Sequence, residues 1–301
     1  KRATLRYGEN PHQEASHYEM AFDKSAFSQI KQLHGKELSY KNYVDLEAAW
    51  QIVNDVKEYI GKACIAIIKH TNPCGCAIAD SLSDAYQKAL DADPVSAFGS
   101  IIGSNQVVDA KTAQLMSTLF VEAIIAPGFK PEALEILTQK KNIRLIEFNG
   151  DSHYPVTFKH IAGAMLAQHV DCSLYNALEC VTETKEASQD EIAFAYILVK
   201  HVKSNAIVLV KDGVSVGVGA GQMSRVEAVE IALKKAGDLA KGSICASDAF
   251  FPFGDSVTLL AKAGVKTVVQ PGGSKKDQES IDAANTNNMT MFFTKERHFK
   301  H

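Results

Sequence analysis

The densest concentration of reactive side chains lies at Ile68-Lys69-His70-Thr71-Asn72-Pro73-Cys74-Gly75-Cys76. An imidazole exchanges a proton near neutral pH, and an adjacent ammonium supplies fixed positive charge or an acid. A Lys-His pair delivered into a tight turn can therefore take a proton from one reactant while stabilising charge on another. Taken alone, the string also reads as the solvated start of a loop. Its setting favours chemistry: the apolar run Ala63 to Ile68 predicts a strand buried on both faces, and the ends of such strands are rigid platforms for functional loops.

Other strings offer binding groups. Leu5 to Gln13 (Leu-Arg-Tyr-Gly-Glu-Asn-Pro-His-Gln) has no periodicity but many hydrogen-bonding side chains, so it reads either as a tail or as a segment ordered by a ligand. Arg6 beside Tyr7 would suit a phosphate. Gly217 to Arg225 sets glycine turns before a capped helix start, where free N–H groups attract anions; a plain hairpin-to-helix connection is the alternative. Asp248-Ala-Phe-Phe-Pro-Phe-Gly-Asp255 could hold a flat heteroaromatic ring whose N–H groups an Asp accepts, or could be core aromatics. Arg297 to His301 reads as a frayed basic terminus. For a zinc deaminase, His17-Tyr-Glu19 fits H-x-E, but Pro73-Cys-Gly-Cys76 is one residue short of P-C-x-x-C. Cys-x-Cys is also not the usual structural-zinc spacing. No metal is expected.

Alternating strand-like and helix-like segments must position these groups. The pattern predicts strands at 63–68, 121–126, 206–210, 214–218 and 265–269, with 95–102 extended. Helices are predicted at 81–90, 111–120, 132–140 and from an Asp190 cap to about Lys203, with another after Ser224, whose partner Glu227 has capping-box spacing. Landmarks recur at near-constant spacing: Lys69 with Lys211, Ser81 with Ser224, Asp109 with Asp255 and Pro127 with Pro271 are 142 to 146 residues apart. That predicts two copies of one α/β unit, with a cleft between them as the natural ligand site.

Composition narrows the class. The 301 residues are 46% hydrophobic and 22% charged, which excludes disorder and a disulfide mini-scaffold. A net charge of −3 gives no bulk field for nucleic acid or an anionic membrane, although anionic small molecules need only a local cluster. The longest apolar stretch, Ala193 to Val199, is far short of the roughly 20 residues of a membrane span. The N-terminus has no secretory pattern, and the six cysteines read as reduced thiols. A cytoplasmic protein is expected. The absence of an initial Met reads as a fragment or an excised domain.

Together, Arg6-Tyr-Gly-Glu-Asn-Pro-His-Gln13, Lys69-His-Thr-Asn-Pro-Cys-Gly75, Asp93-Pro-Val-Ser-Ala-Phe-Gly99, Lys200-His-Val-Lys-Ser-Asn-Ala206, Gly219-Ala-Gly-Gln-Met-Ser-Arg225 and Arg297-His-Phe-Lys-His301 closely resemble the AICAR transformylases, over essentially the whole chain. These form the C-terminal half of a bifunctional purine-biosynthesis family; the IMP cyclohydrolase half, which would precede Lys1, is expected to be absent. The resemblance implies formyl transfer from 10-formyltetrahydrofolate, as co-substrate, to the 5-amino group of AICAR. It implies an α/β fold of two tandem cytidine-deaminase-like lobes without zinc. The lobes would span residues 1–155 and 190–301, joined by a helical segment at 156–189. A homodimer with active sites at the subunit interface is also implied. A nucleotide-binding module without activity, or a base deaminase, is the alternative function.

The resemblance also implies roles. His70 would be the proton acceptor, with Lys69 protonating the folate leaving nitrogen or stabilising charge. Asn205 would orient the AICAR carboxamide and the formyl oxygen. Arg6, Tyr7, Gly128, Asp151, Arg225 and Arg297 fall at nucleotide-binding positions, the arginines as phosphate and ribose contacts. Val226, Asp255, Ser274 and Lys275 fall where folate is held, with Phe250 and Phe253 walling its ring. Gly254-Asp255-Ser256 departs from the family pattern: it lacks the Arg that many relatives place before this Asp, and Ser256 replaces a Gly or Asn.

Overall fold

A computed structural model describes residues 1–19, 27–150, 156–184 and 187–301; Asp151, expected at the nucleotide, lies outside them. The chain opens with a small antiparallel pair, β1 (Ala3–Leu5) and β2 (Ala15–His17). Next come β3 (Lys31–His34), α1 (Tyr40–Tyr59), β4 (Ala63–Lys69), β5 (Asn72–Ala79), α2 (Leu82–Ala92), β6 (Ser100–Ser104), α3 (Ala110–Ser117), β7 (Val121–Ala126), α4 (Pro131–Leu137) and β8 (Arg144–Glu147). A hairpin of β9 (Val156–Ile161) and β10 (Ala164–His169) and the short β11 (Glu179–Cys180) lead to α5 (Gln189–His201). The remainder is β12 (Ile207–Lys211), β13 (Val214–Gly219), α6 (Arg225–Ala236), β14 (Ile244–Ser247), α7 (Asp255–Lys262), β15 (Thr267–Gln270), α8 (Asp277–Thr286) and β16 (Thr290–Phe293).

Twelve strands form one sheet in the order β11-β16-β15-β14-β12-β13-β5-β4-β6-β7-β8-β3. Its two halves have the same plan. In each, a hairpin (β4–β5 or β12–β13) is followed by an antiparallel neighbour (β6 or β14), two parallel strands (β7 and β8, or β15 and β16) and an antiparallel edge (β3 or β11). Both hairpins slip register at the same place, between Ile67 and Ile68 and between Leu209 and Val210. Both carry a glycine with no room for a side chain. A Cβ on Gly75 would sit 2.0 Å from the Ala89 carbonyl oxygen, and one on Gly217 would sit 2.2 Å from that of Ala232. The repeat read in the sequence is therefore a repeat of strand order, register and helix approach, and the halves join through β13 and β5.

Strand alternation sorts the core. Cys64, Ala66 and Ile68 face one side with Val208 and Val210, where they pack with α1 and α5 in a core shared by both halves. Ile65 and Ile67 face the opposite side under α2 and α3, while Ile207 and Leu209 do so under α6 and α7. Ser81, Asp109 and Ser224 cap α2, α3 and α6 by accepting from the N–H three residues on. Ser188, not Asp190, caps α5, and the helix stops at His201.

Several expectations are corrected. Within the stretch 95–102, expected to be extended, strand β6 begins only at Ser100; Val95 stands 85% exposed in the preceding turn. The connection at 156–189, expected to be helical, contains β9, β10 and β11 before α5 begins. The sheet runs on through both halves, and the cleft between them does not lie at the candidate site. A cleft of about 430 Å³ opens beside Ile78, Asp190 and Asp212, at the sheet end remote from His70.

Candidate active site

Lys69 closes β4 and Asn72 opens β5, so His70 and Thr71 form a two-residue turn. Both have positive φ, 51° and 64°, as a type I′ hairpin demands, although that turn favours Asn-Gly. Left-handed backbone at a β-branched Thr is unusual and must be held by its surroundings. Three hydrogen bonds hold it. The Thr71 N–H donates to Asp45 Oδ1 of α1 at 2.7 Å, the Thr71 hydroxyl donates to the His70 carbonyl at 2.7 Å, and Asn72 Nδ2 donates to the same carbonyl at 3.0 Å. The imidazole is left exposed. Burial pushes the Asp45 carboxyl above its ordinary range, opposed by the Thr71 N–H and by His70 nearby. Lys69 Nζ donates to the carbonyls of Phe98 (2.7 Å) and Gly99 (3.2 Å), leaving one of its three N–H groups for a reactant.

Asn205 stands at a second corner, just after α5. Its Nδ2 donates to the carbonyls of Gln222 (2.9 Å) and Met223 (3.1 Å), and its Oδ1 accepts from Arg225 Nη2 at 2.8 Å. Arg225 thereby fixes which end of the amide is oxygen. Both amide hydrogens are engaged, so the group still free for a ligand is a lone pair on Oδ1. Arg225 itself is only 8% exposed, and its Nη1 donates to Asp248 and to the Ala206 carbonyl. The charge of Arg225, expected at phosphate or ribose, is met inside the chain by Asp248. Asp248 is fully buried and also accepts from the Ser204 hydroxyl and the Ala206 N–H, so it cannot receive a ligand ring.

The two corners touch, since the Lys203 N–H donates to Asn72 Oδ1 at 3.2 Å. The basic terminus is anchored here rather than frayed. Ser204 N–H donates to the Lys300 carbonyl, Lys300 N–H returns to Ser204 Oγ, and His298 N–H donates to the Asp248 carbonyl. Burial lowers the Lys300 amine to about 8, helped by the charge of Lys203. Arg297 remains exposed, stacked over Phe299 at 4.4 Å.

The residues expected at folate gather beyond β14 and β15. Phe250 and Phe253 are 37% and 48% exposed, and the Lys276 ammonium lies 4.6 Å over Phe253. Asp255 opens α7 with its carboxylate exposed except for the Ser256 N–H at 2.6 Å. Ser274 and Lys275 precede α8, with Ser274 N–H held by Asp277. Val226 is the second residue of α6. Strand directions put these ends on the same edge of the sheet as His70, because β14 and β4 both run opposite to β12 through their chain of pairings. Arg6 and Tyr7 belong to the same edge: Arg6 Nη2 bonds the Tyr7 hydroxyl at 3.1 Å, and both lie close enough to Arg144, at the start of β8, to perturb it.

Gly128 is not brought to His70. It follows β7, which runs parallel to β6 and opposite to β4, so it lies at the other end of the sheet. The residues offered for a zinc deaminase do not converge either. His17 packs on Tyr43, Glu19 pairs with Arg2, and Cys76 faces Cys64 in the core. Among the described residues no group of three or more His, Cys, Asp or Glu could hold a metal ion, and no helix is long and apolar enough to cross a membrane.

Sequence reasoning missed Asp45, Asn72 and Asp248 as supports. Asn72 and Asp248 both stood in strings that drew attention, but neither was singled out there as a support, and Asp45 stood in none.

The structure is that of a mixed-sheet α/β protein with a histidine on a left-handed turn and an arginine-oriented asparagine at the same edge of the sheet. The pattern of the AICARFT/IMPCHase bienzyme family matches residues 1–235, and the chain belongs to that family. The bifunctional purine biosynthesis protein PurH of Synechococcus elongatus is 52% identical over 99% of this chain and 59% of its own length. Those of Oceanobacillus iheyensis and Desulfitobacterium hafniense are each 50% identical, over 99% and 100% of this chain and 59% of their own lengths. The chain thus spans about three-fifths of these relatives. A solved chain of Acinetobacter baumannii RibD aligns over 35% of this chain and 33% of its own at 23% identity and a TM-score of 0.25, too slight a likeness to bear on the fold.

Proposed function

We propose that this chain carries the formyl-transfer activity of its family, moving a formyl group from 10-formyltetrahydrofolate to the 5-amino group of AICAR in purine (IMP) biosynthesis, as a cytoplasmic homodimer. The observation that carries this reading is the junction of the Lys69-His70 turn with the Asn205–Arg225 corner through Asn72.

The AICAR amine is a poor nucleophile, because its lone pair is drawn into the ring and carboxamide. Attack on the formyl carbon therefore needs a base, and exposed His70 takes the amine proton as the tetrahedral intermediate forms. The free N–H of Lys69 stabilises charge on that intermediate or protonates the folate nitrogen as its bond to carbon breaks. Asn205 accepts a carboxamide N–H on its remaining lone pair; contact with the formyl oxygen would require it to release a backbone carbonyl. Holding both substrates together removes the entropy cost of their encounter. Arg6, Tyr7 and Arg297 are the nucleotide contacts. Asp255, Val226, Ser274 and Lys275 hold the folate, between Phe250 and Phe253.

The matching strand order of the halves supports two tandem cytidine-deaminase-like lobes, at residues 1–155 and 190–301. Two observations support a dimer with shared sites. Gly128 lies at the sheet end opposite His70, so one chain alone cannot bring them together. The β9–β10 hairpin also stands with Phe158, Ile161, Met165 and Leu166 exposed, more apolar surface than an isolated ribbon tolerates. The test is a spectrophotometric assay with AICAR and 10-formyltetrahydrofolate on metal-analysed protein. Tetrahydrofolate release without bound zinc is expected; AICAR binding without turnover, or zinc-dependent loss of ammonia from a base, would contradict the reading.

A further inference from the structure

We propose that Asp45 is a positioning residue for His70: from α1 its carboxylate grips the turn by the Thr71 N–H and so fixes where the imidazole stands. In a two-residue hairpin the N–H of the second turn residue is not used by the strand ladder, and Asp45 Oδ1 takes it at 2.7 Å.

The second half of the fold supplies an internal comparison. Its equivalent turn, Asp212-Gly213, has the same left-handed backbone, with φ of 52° and 72°, and the Gly213 N–H donates to Glu191 Oε1 of α5 at 2.9 Å. Each half therefore clamps its hairpin turn with a carboxylate from the helix preceding that hairpin. In the second half the turn ends in glycine, for which positive φ costs little, and no histidine is present. The first half puts His70 and the β-branched Thr71 in that conformation, so the clamp there holds a costly backbone and a titratable ring at once.

The charge of Asp45 is available to that ring. The groups facing it are His70 in the turn, Glu122 of β7 and Lys41 of its own helix. Glu122 is engaged by Asn42 at 2.9 Å and by Arg144 at 3.8 Å, and Lys41 is exposed to solvent.

This inference rests on the formyl-transfer reading only in giving His70 a proton to move, and its test is separable. Exchange of the Thr71 backbone N–H is followed by NMR on the full chain in the wild type, Asp45→Asn, Asp45→Ala and Glu191→Ala, alongside kcat for formyl transfer. An Asn can still accept the Thr71 N–H, so Asp45→Asn keeps the clamp. Thr71 exchange is expected to quicken roughly tenfold or more in Asp45→Ala and to stay near the wild-type rate in Asp45→Asn and Glu191→Ala. Asp45→Ala is expected to lose about 100-fold in kcat with little change in the KM for AICAR, whereas Glu191→Ala keeps its kcat. Unchanged Thr71 exchange in Asp45→Ala, or an undiminished kcat in a folded Asp45→Ala, overturns the proposal. A wild type whose Thr71 N–H is protected as expected but which transfers no formyl group fails the functional reading instead.

Discussion

The backbone N–H of Lys203 donates to the side-chain oxygen of Asn72 at 3.2 Å, across 131 residues of sequence. Asn72 closes the turn that presents His70, and Lys203 stands two residues before Asn205. One side chain thus couples a turn of the first half to a corner of the second, and the two candidate reacting groups share a frame although their elements lie in different repeats.

Asp248 is the support of that frame. Its replacement by Ala would leave Arg225 buried and unpaired, a loss of about 3–5 kcal/mol in unfolding free energy, and would free Asn205 to rotate. Urea unfolding of Asp248→Ala should show that loss. Stability unchanged within error would mean that the Arg225–Asp248 pair does not organise the corner.

The paired glycines test the repeat. A methyl group at Gly75 or Gly217 meets a helix carbonyl oxygen at 2.0 or 2.2 Å, and no rotamer relieves a clash with backbone. Gly75→Ala and Gly217→Ala should each cost about 3 kcal/mol or more, measured by thermal unfolding, whereas Gly221→Ala, with open space around its Cβ position but a left-handed backbone (φ 66°), should cost only the roughly 1–2 kcal/mol of that conformation.

His201 makes stability depend on acidity. Its Nε2 lies 2.8 Å from Asp55 in the core between α1 and α5, yet burial outweighs the carboxylate and holds its pKa down to about 4. The unfolded chain takes that proton near the ordinary value of about 6.5. Between those values the unfolded state binds more protons, so stability falls as pH drops from about 6.5 to about 4, by at most about 3 kcal/mol. His201→Gln should flatten that part of the stability profile; an equally steep fall in the variant would assign it to other groups.

If sites are shared between subunits, two inactive variants should rescue each other. Chains with His70→Ala, mixed with chains carrying Gly128→Asp and allowed to exchange, should regain about a quarter of native activity through mixed dimers with one intact site. Mixing that restores nothing would place both residues in a single chain's site, or outside the site altogether.

Much of this was legible in the sequence for definite reasons. β4 and β12 read correctly because strands buried on both faces are continuous apolar runs. The caps at Ser81, Asp109 and Ser224 were visible because an N-cap is a local device. Helix α1 left no such signal: it packs against both the sheet and α5, so its apolar residues are spread around it rather than gathered in one stripe. Strands β14 and β16 are four residues each and too short for a period. For the site, side-chain chemistry marked His70 and Lys69, and the family resemblance marked Asn205, but their supports could not be found this way. Asp45 and Asp248 act through contacts 26 and 23 residues away in sequence, and only folding reveals which carboxylates are spent on such contacts. Gly128 marks the same limit, since a motif carries no information on strand direction.

The central claim, that His70 takes the proton of the attacking amine with Lys69 beside it, is tested most directly by single-turnover formyl transfer in His70→Ala and Lys69→Ala with AICAR affinity measured in parallel. Transfer should be abolished in both while AICAR binding largely survives. Full turnover by either folded variant would contradict the roles assigned to that pair.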